Sequence, residues 1–273
     1  MKNGIICLGV DKLDYSYYKG KLKELEVCNR DAKGVYDYFT KKFNFSSKTL
    51  LLDASTRPFL AQLDSLASSF ESGDLLIIYY SGHGGQVTDV SGDEDDKLDE
   101  TWCFHDRQLI DDEIYLALSK FKTGVNILVL SDSCHSGSVV RAREDEEERD
   151  EVYSKKVGHE KSQDLFKSNE IMHENLANIP AIKKDELNPH VILLSGCQDD
   201  QSSYTGHPYS QFTKALLGVL TVNKNQVNLK DLYKGIREIL DDFWKEQTPN
   251  FLVQGKLNPD FVETPLADML KGK

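Results

Sequence analysis

Four short apolar runs constrain the fold of this chain more than any other feature of its sequence. Asn3–Val10, Leu75–Tyr80, Asn126–Ser131 and His190–Leu194 are nearly continuous in apolar residues, the pattern of strands buried on both faces of a sheet. Helical patterns separate them. Asp31–Phe43 carries Val35, Tyr38, Phe39 and Lys42 at helical spacing. Thr56-Arg57-Pro58 opens a second helix, which runs through Phe59, Leu63, Leu66 and Phe70 and stops at Gly73. Thr49–Asp53 reads as another strand, and Asp111 or Asp112 caps a helix running to Phe121. Phe212–Leu220 and Leu229–Trp244 are amphipathic helices, and Phe251–Gln254 is a last short strand. Strands alternating with helices predict an α/β fold with a parallel sheet and right-handed crossovers.

Two of the runs end in chemistry. LLIIYYSGHGG (Leu75–Gly85) ends in His83, and LVLSDSCHSG (Leu128–Gly137) carries Cys134 in a small polar turn. As neighbouring parallel strands they would bring a thiol and an imidazole together at the carboxyl rim of one sheet, where open α/β sheets bind their ligands. A cysteine attacks as thiolate, and a nearby imidazole generates or stabilises one. The spacing therefore predicts Cys134 as nucleophile and His83 as base, later acid. Gly84 and Cys134 supply small-residue backbone amides for an oxyanion. His135, next to the nucleophile, should point to the opposite side. Asp132 precedes Cys134 by two residues, so on a strand its carboxylate shares the nucleophile's face and would pair with a cationic side chain of a substrate. Asp31 lies near the same rim, as pocket acid or as helix N-cap.

Composition narrows the classes. A net charge of −12 over 273 residues argues against a nucleic-acid partner, which selects a basic surface. No stretch approaches the roughly 20 apolar residues of a membrane span, and the apolar start of MKNGIICLGVDK is too short for a signal peptide. The five cysteines, Cys7, Cys28, Cys103, Cys134 and Cys197, are scattered and include no CxxC. They indicate neither a disulfide framework nor a zinc site, and point to a reducing, cytoplasmic setting.

Gln86–Glu100, dense in aspartate, reads as loop. After Val140 the letters change: Arg141–Glu151 is almost wholly charged, and order signals stay weak to about Pro189. The chain divides into 1–140, a mobile linker at 141–189, and 190–273, with one sheet built from both flanks. Arg141, Arg143, Arg149, Lys155 and Lys156 lie in the linker, close behind Cys134. A peptidase selective for basic residues would have self-cleavage sites there.

YSGHGGQ, GDEDDKLDE, LIDDEI, DSCHSG and SGCQDDQSS, in this order, resemble the metacaspases and bacterial orthocaspases among the caspase-like cysteine peptidases. The resemblance implies a single domain over 1–273, a caspase-type three-layer sandwich with a six-stranded, mostly parallel sheet flanked by helices. It implies a Cys134–His83 dyad, a pocket lined by Asp132, Asp31, Cys28 and Ser81, and cleavage of protein or peptide substrates after Arg or Lys. Many metacaspases use calcium, and Asp99, Asp111 and Asp112 fall near the matching positions. The family's further acid is replaced here by Arg141, so the reading is that no cofactor is required. Monomer or dimer stays open. The rivals are a non-catalytic caspase-like scaffold, a clostripain-like peptidase and a cysteine phosphatase. For the phosphatase, six residues separate Cys134 from Arg141, and the acids nearby would repel phosphate.

Overall fold

A computed structural model describes residues 1–89, 97–133, 153–173, 176, 179, 182, 184–197, 201, 203–243 and 247–271. The main sheet takes in β1 (Asn3–Gly9), β2 (Ser47–Leu52), β3 (Leu75–Ser81), β7 (Asn126–Asp132), β8 (His190–Ser195) and β9 (Asn250–Gln254), in the order β2-β1-β3-β7-β8-β9. Neighbours pair in parallel except β9, which runs antiparallel along the outer side of β8. The predicted six-stranded, mostly parallel sheet is what forms. Every residue of β1 and β3 is buried, whereas the edge strands β2 and β9 are partly exposed.

Helices cover both faces. α2 (Cys28–Lys42), α7 (Gln211–Val222), α8 (Leu229–Phe243), α9 (Pro259–Glu263) and α10 (Leu266–Lys271) pack on one side, through Val35, Phe39, Phe212, Leu216, Leu232 and Leu266. α3 (Thr56–Ser69) and α4 (Asp111–Ser119) pack on the other, through Phe59, Leu63, Leu118 and Phe121. Strand order reverses beside β1, so α2 and α3 leave on opposite faces and open a crevice at the carboxyl ends of β1 and β3. Register sets Gly9 opposite Ser81 and Ser81 opposite Asp132, so three strands finish level at that crevice.

Several local expectations change. Gln86–Glu100 is not all loop: β4 (Gly84–Thr88), β5 (Leu98–Cys103) and β6 (Gln108–Ile110) form a small antiparallel sheet. Val87, Trp102, Leu109 and Ile110 are buried, and this apolar burial outweighs the acidic letters that suggested a loop. Asp111 and Asp112 do not cap α4. Its N-cap is Ile110, and both acids stand in the first turn, where carboxylates complement the helix dipole. Asp31 is not a cap either, since α2 starts three residues earlier at Cys28. The cap function falls to Asp11, whose carboxylate accepts from the Cys28 and Asn29 amides at 2.7 and 3.3 Å. That contact needs Gly9, because a Cβ there would lie 2.6 Å from the Cys28 carbonyl oxygen. A four-residue helix, α1 (Tyr15–Tyr18), interrupts the polar connection after β1.

The expected linker also holds structure. Residues 153–157 lie against β4, followed by α5 (His159–Ser168) and α6 (Glu170–His173). Val157 and Leu165 are buried with Tyr17, Tyr18 and Cys103. Charge density hid this apolar anchor in the sequence.

Candidate active site

β3 delivers His83 two residues past its end. Gly82 makes the turn, since a Cβ there would meet the Tyr80 hydroxyl at 2.3 Å. The Tyr80 hydroxyl and the Cys103 amide both donate to the His83 carbonyl, at 2.8 and 2.9 Å, and the Tyr80 ring stacks on Trp102. The histidine backbone is thereby fixed from two elements.

His83 is buried, and each ring nitrogen faces a carbonyl oxygen: Nε2 faces Lys23 at 2.8 Å, and Nδ1 faces Lys155 at 3.2 Å. An oxygen only accepts, so a neutral ring satisfies one of the two. The shorter contact assigns the proton to Nε2, which leaves the Nδ1 lone pair beside the Lys155 carbonyl. Burial lowers the imidazole pKa and outweighs the two carbonyls that favour the charged ring. His83 is thus held neutral, the form able to take a proton.

The predicted pocket residues converge. Asp31, Ser81 and Asp132 are fully buried around one point, and the Lys155 ammonium fills it. Lys155 Nζ lies 2.9 Å from Asp132 Oδ1, 2.9 Å from Ser81 Oγ, 3.1 Å from the Asp132 carbonyl oxygen and 3.5 Å from Asp31 Oδ2. Cys28, also buried, borders the same group. The acids are braced in turn. Asp132 accepts from Ser203 Oγ at 2.7 Å and Thr213 Oγ1 at 2.6 Å, while Asp31 accepts from the Ser210 amide and hydroxyl and from Ser81. Burial pushes the Asp31 carboxyl up, to about 6, against the pull of Lys155. Burial likewise works against the Lys155 ammonium, but Asp132, Cys28 and Asp31 overcome it and hold the lysine charged well above its usual range. A fully desolvated cation between two carboxylates is stable only when every partner is satisfied, as here.

The backbone around Lys155 is extended and paired on both sides. Its amide donates to the Ser203 carbonyl at 2.9 Å, and the Thr205 amide donates to the Tyr153 carbonyl at 2.9 Å. On the opposite side the Gly84 amide donates to the Lys155 carbonyl at 3.0 Å, and the Val157 amide donates to the Gly84 carbonyl at 2.8 Å. The Gly84 amide expected to hold an oxyanion therefore already holds the carbonyl of a lysine whose side chain fills the acidic pocket.

Other predicted residues lie elsewhere. Cys134, His135, Arg141, Arg143, Arg149 and the acids at 93–96 fall outside the described residues. Asp132, two positions ahead of Cys134, pairs in register with Ser81, two positions ahead of His83. Asp99, Asp111 and Asp112 are buried. Lys184 stands 3.3 Å from Asp111 and 3.7 Å from Glu100, and an ammonium beside Asp111 works against a second cation. Among the described residues no three His, Cys, Asp or Glu side chains converge as a metal would need. Sequence reasoning missed the Lys23 carbonyl and the bracing by Ser203, Ser210 and Thr213. Of these, only Ser203 lies in a quoted motif, SGCQDDQSS.

Comparison with known proteins agrees with this architecture. The caspase-domain family model matches residues 6–268. Metacaspase-4 of Arabidopsis thaliana is 32% identical over 161 residues, 50% of this chain and 38% of that protein. The chain spans between 30% and 38% of the first curated metacaspases it matches. The crystal structure of protein GSU0716 from Geobacter sulfurreducens aligns with a TM-score of 0.84 at 32% identity, covering 97% of this chain and 98% of that one. Caspase-1 from Spodoptera frugiperda shares the fold, with a TM-score of 0.52 at 10% identity over 93% and 86% of the two chains. A sheet with its crevice beside β1, a histidine after β3 and a family match over nearly the whole length carry one conclusion: the chain belongs to the caspase-domain family of cysteine peptidases, on its metacaspase side.

Proposed function

We propose that the protein is a cysteine endopeptidase that cleaves after Lys or Arg, and that its first substrate is its own Lys155–Lys156 bond. One observation carries this reading: a lysine buried between Asp132 and Asp31 presents its carbonyl to the Gly84 amide and to His83 Nδ1. The Cys134 thiol gives its proton to His83 and the thiolate attacks the Lys155 carbonyl carbon. The Gly84 amide stabilises the oxyanion. The C–N bond to Lys156 breaks as His83 returns the proton to the leaving amine. Water then hydrolyses the thioester, releasing the Lys155 carboxylate and the Cys134 thiol. The acids select a basic side chain through charge-assisted hydrogen bonds, and no metal enters the sequence of steps.

Fluorogenic peptides ending in Lys, Arg, Asp or Leu, with the Cys134→Ala form as blank, test the reading. Turnover of Lys and Arg substrates alone is expected. Hydrolysis of the Asp substrate, or equal signal from the Cys134→Ala form, would overturn it.

A further inference from the structure

The bound segment also presents the third residue before the cut, Tyr153, and its surroundings are specific. Thr205 grips its backbone from both ends, with Tyr153 N–H donating to Thr205 Oγ1 at 2.6 Å and the Thr205 amide donating to the Tyr153 carbonyl. Tyr153 as a whole is 38% exposed, so it is not a core residue. What it meets is a charge: the Lys23 ammonium stands over its face, 3.3 Å from the centroid. Ammonium groups within about 6 Å of an aromatic face are attracted by the ring quadrupole. Lys23 is also the residue whose carbonyl faces His83 Nε2, so the segment carrying it is held against the active site.

We infer that Lys23 is a specificity-determining residue that selects an aromatic side chain at the third position before the cut and disfavours a basic one. This rests on the peptidase reading above. A cation at this position attracts a ring face, repels Lys or Arg, and gains little from an aliphatic chain.

The test compares kcat/KM of the full chain, after self-cleavage, on reporters of sequence X-Ser-Lys with X as Tyr, Leu, Glu or Lys. Tyr should exceed Leu by about two- to fivefold, the exposed-site range for such contacts, and Lys should be poorest. In Lys23→Met the Tyr-to-Leu ratio should fall to about one, and in Lys23→Glu the Lys reporter should overtake Tyr. The ratio within each variant is the readout, because the Lys23 backbone also touches His83. In the intact chain, Tyr153→Phe should self-cleave at the parent rate and Tyr153→Leu about two- to fivefold more slowly. Equal Tyr and Leu rates, or a ratio unchanged by Lys23→Met, would overturn the inference. Glu outrunning Tyr would overturn it in favour of plain charge pairing. Failure to turn over any lysyl reporter would overturn the peptidase reading itself.

Discussion

Two acid pairs in this molecule each hold a lysine from the stretch between β7 and β8. Asp31 and Asp132 enclose Lys155, which is 0% exposed and also bound by a serine hydroxyl and a backbone carbonyl. Glu100 and Asp111 meet Lys184 at longer distances, with a third of its side chain exposed. The charges are alike, but the surroundings differ. Around Lys155 every acid is braced by a hydroxyl or amide from a distant element, which makes a slot shaped for an ammonium. Around Lys184 the contacts are longer and the ammonium is a third exposed, so solvent screens part of the attraction although Asp111 itself is buried. Charge alone does not make a binding site; desolvated, braced charge does.

Removing the acids breaks the comparison most directly. Asp132→Ala deletes a charge-assisted contact worth about 1.5–3 kcal/mol, so kcat/KM on lysyl reporters should fall roughly tenfold to hundredfold. Asp111→Ala should change it less than about threefold, because the ammonium it meets, Lys184, is a third exposed. Similar losses from both substitutions would mean that the two sites are not different in kind.

Proton binding gives a second, smaller contrast. Burial raises the Asp31 carboxyl to about 6, so it is ionised above that pH and neutral below. Self-cleavage should therefore decline as pH falls through about 6, where one of two charges facing Lys155 is lost. Stability runs the other way. A carboxyl whose folded pKa exceeds its unfolded value favours folding when protonated, and that contribution is lost as pH rises through about 6. Asp31→Asn should remove the acid limb from the rate profile, while leaving the Lys155 ammonium with one carboxylate partner fewer. A parent profile flat between pH 5 and 7 would contradict the assignment.

The smallest effect expected is that of metal removal. With Lys184 beside Asp111, a chelator should alter the self-cleavage rate less than about twofold, followed by gel densitometry. Collapse in chelator with recovery in calcium would show that the Asp99, Asp111 and Asp112 region takes a cation after all.

Much of this was legible in the letters, for a physical reason. Strands buried on both faces advertise themselves as apolar runs, and a parallel sheet puts its functional groups where those runs end. His83 and Asp132 were read that way and Asp31 from its place after β1, whereas Ser81 and Cys28 came only with the family resemblance. The bracing side chains were not, because Ser210 and Thr213 come from a loop and helix far along the chain, with no periodicity to mark them. Asp11 capping α2 across 17 residues is invisible for the same reason. β4 and β5 were read as loop because acids on a half-buried sheet look like solvated turn. The seat of Lys155 was hidden by the charged run before it, although Val157 and Leu165 are an ordinary apolar anchor.

Intact mass spectrometry of the freshly purified full chain beside its Cys134→Ala form tests the central claim most directly. The account predicts two fragments from the parent, ending at Lys155 and beginning at Lys156, and one uncut chain from the variant. An uncut parent that still hydrolyses lysyl peptides, or a cut at Lys155 in both forms, would contradict it.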